Sequence, residues 1–139
     1  MIKITLKGVD AEFKSKDREL TSTVNQIARI QAIDTVAKLK ERTPVDTGRA
    51  KNSWVLSKNK NKFLDAKGGY TASVGGPGLG PVSDSKIETL YATNGTPYIE
   101  DLNRGTSKQA PARFVEATIA QQQYTPLGVL FETITTNKD

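Results

Sequence analysis

Chemistry in this chain must be done with carboxylates, amines, hydroxyls and guanidinium groups, because neither Cys nor His occurs. That removes thiolate nucleophiles, disulfides, the commonest zinc ligands and the commonest general base. Two carboxylate pairs remain as candidates. Glu100 and Asp101 are adjacent, and neighbours point apart on a helix or strand, so they do not converge on one substrate atom. Asp84 and Glu88 have helical i, i+4 spacing, with no further ligands around them, and read as solvated acids. The tract Gly75–Ser85, GGPGLGPVSDS, invites a phosphate-cradle reading. It lacks the Gly-Lys-Ser/Thr of a P-loop, and Pro77 and Pro81 remove amide donors that such a cradle needs. No catalytic, metal or cofactor site is expected, and no enzymatic activity.

The strongest chemical signal is charge. Lys and Arg total 20 against 15 Asp and Glu, a net +5. Residues 1–70 hold 15 of the bases and 8 of the acids; residues 71–139 carry a slight acidic excess. The basic stretch Arg49, Lys51, Lys58, Lys60, Lys62 and Lys67 is opposed only by Asp65. Spaced lysines with asparagines between them suit sequence-independent phosphate contacts. No aromatic sits within Ser57–Lys62, so base stacking is not expected. The tip Lys58, Lys60, Lys62 concentrates charge that either DNA or an acidic protein surface could use.

Elements must position these groups. At 139 residues with 36% hydrophobic content, one domain spanning 1–139 is expected, with a rather low apolar share for a self-sufficient globule. No apolar run reaches the roughly 18 residues of a membrane span. The opening MIKITLKGVD has no apolar stretch, so no signal peptide is expected, and the chain reads as soluble and intracellular. Ile2, Ile4 and Leu6 alternate with Lys3 and Thr5, a half-buried strand. From Asp17 to Arg42 there is neither Gly nor Pro, Glu19 stands in the first turn, and Pro44 follows. This is a long helix. Its apolar residues form several stripes: Leu20, Val24, Ile27; Ile30, Ile33, Ala37; and Ala28, Ala32, Val36, Leu39. A helix apolar on several sides is expected to meet a second layer as well as its own sheet, a neighbouring subunit above all.

Asp46, Thr47 and Gly48 make a capped turn into residues 46–53. Trp54–Leu56, Phe63–Asp65 and Tyr70–Val74 read as strands, with Ser57–Lys62 a polar loop between. Residues 75–85 are a long projecting loop. Residues 86–93 are short and either helical or extended, and Gly105 is placed for positive φ. Pro111 opens a helix to about Gln123. Thr125-Pro126 with Leu127, Leu130, Phe131 and Ile134 fits a last helix, while its Gly and β-branched residues fit a strand or arm equally, so both readings stay open for the C-terminal segment 124–139.

Two stretches carry a known pattern: Thr43-Pro44-Val45-Asp46-Thr47-Gly48-Arg49-Ala50-Lys51-Asn52-Ser53-Trp54, and Asn94-Gly95-Thr96-Pro97-Tyr98-Ile99-Glu100-Asp101-Leu102-Asn103-Arg104-Gly105-Thr106 followed by Gln109-Ala110-Pro111-Ala112. Over about 17–125 they resemble the tail-completion, or head-to-tail joining, proteins of tailed bacteriophages. Asp-Thr-Gly alone would suggest an aspartic protease, but that fold is β-rich and needs a second catalytic Asp, whereas Asp46 follows a long helix. The resemblance implies an α+β fold: a curved antiparallel sheet packed against one long N-terminal helix, with shorter C-terminal helices and long loops. It implies no enzyme and no cofactor. It implies a virion structural protein of the neck or head-proximal tail end, assembled in the host cytoplasm. Its partners would be its own copies in a ring, most often a hexamer, an adjoining connector or stopper ring, the tail tube, and DNA passing non-specifically through the channel. Membranes are not among them. Closed rings use heterologous interfaces, and Ile30, Ile33, Val36, Leu79, Leu130 and Phe131 are the expected contacts. Asp46, Thr47, Gly48, Trp54, Gly105 and Pro111 are expected to determine the fold rather than touch a partner. The alternative is a small basic nucleic-acid-binding accessory protein using Arg49–Lys67.

Overall fold

The alternation at the N-terminus becomes strand β1 (Ile2–Gly8) of the computed structural model, which describes residues 1–8, 18–44, 48–67, 79–105, 113–122 and 129–135. The Gly- and Pro-free run becomes helix α1 (Arg18–Arg42), about 37 Å long. Its end is sealed as Pro44 suggests: the Thr43 amide and hydroxyl both donate to the Leu39 carbonyl, at 3.0 and 2.6 Å. Gly48 adopts φ +83°, a conformation that disfavours any Cβ, and reverses the chain. A 3-10 turn over Lys51–Ser53 leads into β2 (Trp54–Ser57). There follow β3 (Thr89–Asn94), α2 (Ile99–Arg104), α3 (Phe114–Gln122) and β4 (Val129–Thr135).

The four strands form one antiparallel sheet in the order β2-β3-β1-β4. The fold is therefore α+β, a sheet with a long N-terminal helix and shorter helices after it. Register places Ile2, Ile4 and Leu6 opposite Asn94, Ala92 and Leu90, and Trp54 and Leu56 opposite Asn94 and Ala92. Opposed residues share a face, and this face packs on Ala32, Val36 and Leu39 of α1 and on Phe114, Val115 and Ile119 of α3. Trp54 is fully buried, and its indole N–H finds the Thr43 hydroxyl at 2.9 Å. Strand β2 is thereby tied to the end of α1 across the turn that joins them.

Several expectations are corrected. Phe63–Asp65 is not a strand: its backbone bonds go to the end of β3, with Leu64 O accepting from the Gly95 amide at 2.8 Å and Lys62 O from the Thr93 hydroxyl at 2.6 Å. Of the alternatives for the C-terminal segment, strand holds over Val129–Thr135 and helix does not, because that β-branched run pairs with all of β1. Residues 86–88 are irregular and β3 is extended. The α2 helix is an element that the residue pattern does not foretell. Gly105 does adopt φ +102° as its C-terminal cap. Asp46, Thr47, Pro111, the 70–74 segment and residues 75–78 lie outside the described residues.

Candidate interaction surface

Helix α1 buries four polar residues, Thr21, Asn25, Arg29 and Thr35; of these, Asn25 and Arg29, one turn apart, bond residues 79–88. The Arg29 guanidinium donates to both Glu88 oxygens, from Nε at 2.8 Å and Nη2 at 2.7 Å. It also donates to the carbonyls of Leu79, Gly80 and Pro81. Asn25 donates to the carbonyls of Ser83 and Lys86 and accepts from the Glu88 amide. The two side chains hold residues 79–88 along the helix, and Leu79 is seated in the core at 3% exposure. The expectation of a loop projecting throughout 75–85 is thus corrected for 79–85.

Glu88 is likewise corrected from a solvated acid to a buried hub. Burial alone would push its carboxyl up. Hydrogen bonds from Arg29, the Ser83 amide and Lys58 outweigh that and hold it below the usual carboxylate range. Asp84 stays exposed and makes no site with it. Sequence reasoning missed this cluster because Arg29 and Glu88 are 59 positions apart; the only local signal was a polar i, i+4 pair on the stripe facing the core.

The basic stretch divides into three. Arg49 is paired with Asp65 by two hydrogen bonds, 2.7 and 2.6 Å, and lies 5.4 Å from the centre of the Tyr98 ring. The Arg49 hydrogen bond holds the Asp65 carboxyl below its usual range. Lys58 reaches Glu88 at 3.2 Å. Lys51 is half-buried, and burial of neighbouring Lys40 together with the Lys51 charge lowers the Lys40 pKa. Lys60, Lys62 and Lys67 are exposed. The basic residues are therefore not one continuous free patch.

Of the expected partner contacts, Val36 (0% exposed) and Leu79 lie inside this chain's own core and cannot meet another chain, which corrects both. Ile33 is partly buried against that core. Ile30 is 67% exposed and Leu20 43%. At 100° per residue, Leu20, Ile27, Ile30 and Ala37 fall within an arc of about 100° on the side of α1 opposite Ala32 and Leu39. Register pairs Phe131 with Leu6 and Leu130 with Lys7.

A cleft of about 690 Å³ opens beside Arg49, Phe63, Asp65, Gly95, Glu100 and Arg104. Most of its ions are engaged with one another: Arg49 with Asp65, Arg104 with Glu100 and Asp101, and the Met1 amine with Glu100; Lys67 also lines it and is exposed. Among the described residues no group of three His, Cys, Asp or Glu could hold a metal ion, and no helix is long and apolar enough to cross a membrane. No family model, no curated protein and no solved structure matches this chain.

Proposed function

We propose that this chain is a non-enzymatic virion structural protein whose copies form a ring that completes the tail or neck and joins it to the head-side connector, leaving a channel for DNA. Two lines of support meet. The residue pattern around Thr43–Trp54 and Asn94–Thr106 resembles the tail-completion proteins, and the long helix packed on an antiparallel sheet is the architecture that resemblance implies. The observation that carries the reading is the outward side of α1. Ile30 is two-thirds exposed on a helix whose other side is already filled by the chain's own core. An isoleucine so placed supplies an apolar anchor for a neighbour.

Light scattering on the eluting chain tests self-association. The chain is expected to elute as a closed multimer, and Ile30→Asp as a folded monomer, since an exposed substitution changes stability by no more than about 0.5 kcal/mol. In particles made without this chain, electron microscopy is expected to show separate heads and tails. Normally joined particles, or a wild-type chain that stays monomeric at high concentration, sink the reading.

A further inference from the structure

Strands β1 and β3 have a second face, away from α1. Register sets Lys3 opposite Thr93, Thr5 opposite Tyr91 and Lys7 opposite Thr89, and Val55 and Ser57 of β2 stand opposite Thr93 and Tyr91 on the same side. The Thr93 hydroxyl donates to Lys62 O at 2.6 Å. That bond lays the basic tip onto this face next to Lys3, the ladder partner of Thr93. The tip is itself ordered. Ser57 Oγ accepts from the Asn59 amide, Asn59 Oδ1 accepts from the Asn61 amide at 2.9 Å, and the Lys62 amide donates to Asn59 O. Lys58 is fastened to Glu88, whose charge Arg29 already balances. Lys60 and Lys62 are exposed and Lys3 is half-exposed, and none of the three forms an ion pair among the described residues. The acid in register with this face is Glu132, on the outer strand and paired with Thr5.

Thr5, Val55, Ser57 and Thr93 of this face are buried, so what it presents to solvent is the tip laid over it together with Lys3. We infer that this surface, through Lys3, Lys60 and Lys62, is a contact surface for the phosphate backbone of duplex DNA. The choice of DNA over a protein rests on the exposed tip, which carries three lysines and no aromatic, while Val55 and Tyr91 of the face beneath are buried and half-buried. Protein interfaces are built around apolar or aromatic anchors and are depleted in lysine. The large exposed hydrophobics among the described residues are Leu20 and Ile30, both on α1. The tip offers lysines with asparagines between them, groups that bond phosphate without reading sequence. The grouping differs from the linear basic stretch: Arg49 is spent on Asp65, and Lys3, some sixty positions earlier than Lys62, joins. That DNA is the polyanion at hand rests on the proposed function; the presence of the charged face does not.

The test is fluorescence anisotropy of the full chain with a random-sequence duplex of about 20 base pairs, across salt from about 50 to 200 mM. The wild type is expected to bind with affinity falling steeply as salt rises. Lys3→Ser/Lys60→Ser/Lys62→Ser is expected to reduce the log–log salt slope by up to about 2.7, at about 0.9 for each phosphate that the protein no longer neutralises. Lys51→Ser/Lys67→Ser, two cations placed elsewhere, is expected to leave the slope unchanged. Circular dichroism checks folding, and Lys60→Ser/Lys62→Ser alone, expected to remove up to about 1.8, covers any variant in which the strand substitution unfolds the chain. No wild-type binding at the lowest salt, equal losses in the control variant, or polyglutamate binding as tightly as DNA would each overturn the inference. Light scattering on the same samples separates it from the ring: a monomer that binds DNA through this face refutes the ring alone, and a ring indifferent to DNA refutes this surface alone.

Discussion

Replacing Glu88 by Ala strands two cations at once. The carboxylate accepts from Arg29 at 2.8 and 2.7 Å, from the Ser83 amide at 3.0 Å and from Lys58 at 3.2 Å. Its side chain is 5% exposed and that of Arg29 10%. Removing one partner of a buried pair costs about 3–5 kcal/mol, because the other charge is left uncompensated. The carbonyls of Leu79, Gly80 and Pro81 still cradle the guanidinium, which places the expected loss near the lower end, about 3 kcal/mol. With a urea m-value of about 1–3 kcal/mol/M, the midpoint falls by about 1–3 M. Arg29→Met/Glu88→Leu is expected to lose less than the sum of its single variants, giving a coupling of about 1–3 kcal/mol. Its recovery is incomplete, since the three carbonyls then lack their donor. The pH profile carries an independent signature. The folded-state pKa of Glu88 is depressed below its ordinary value of 4.5. Its contribution is therefore fully present above that value and is lost as pH falls through the lower folded pKa. Glu88→Gln should flatten the stability profile in that acid window and nowhere above it. Urea titrations of the four chains of the cycle, of Glu88→Ala and of Glu88→Gln, at neutral pH and near pH 3, read these effects. A Glu88→Ala variant within about 0.5 kcal/mol of wild type, or a coupling near zero, refutes the reasoning.

Two further outcomes are expected. Thr43→Val leaves the fully buried Trp54 indole without its acceptor and should cost about 1–3 kcal/mol in urea unfolding, whereas a value indistinguishable from wild type would mean that the indole bond contributes nothing. Gly95→Ala would place its Cβ 2.8 Å from the Leu64 carbonyl oxygen, a backbone atom, beside the bond from the Gly95 amide to that oxygen. It should destabilise by about 1–3 kcal/mol through strain and raise amide exchange over 62–66; unchanged exchange there would show that the segment yields freely.

Sequence by itself determined the elements whose cause is local. Absence of Gly and Pro over 18–42, with Pro44 beyond, is enough for the long helix. Alternation at Ile2, Ile4 and Leu6 is enough for the first strand. Gly105 announced positive φ and Gly48 a turn, and both adopt positive φ, since backbone freedom belongs to the residue itself. The bulk and polar handle of Trp54 announced a core residue in need of an acceptor. Which apolar stripe of α1 faces inward was not legible, because three stripes of similar hydrophobicity compete and only the sheet and α3 select Ala32, Val36 and Leu39 over Ile30. Tertiary structure alone decided the rest of the surface. Glu88 reads as one more solvated acid until the strand order brings its carboxylate to Arg29, and Lys3 reads as a strand's outward lysine until Thr93 ties Lys62 beside it. Charges are assigned by distance in space, and chain separation says nothing about that distance once four strands have been ordered β2-β3-β1-β4.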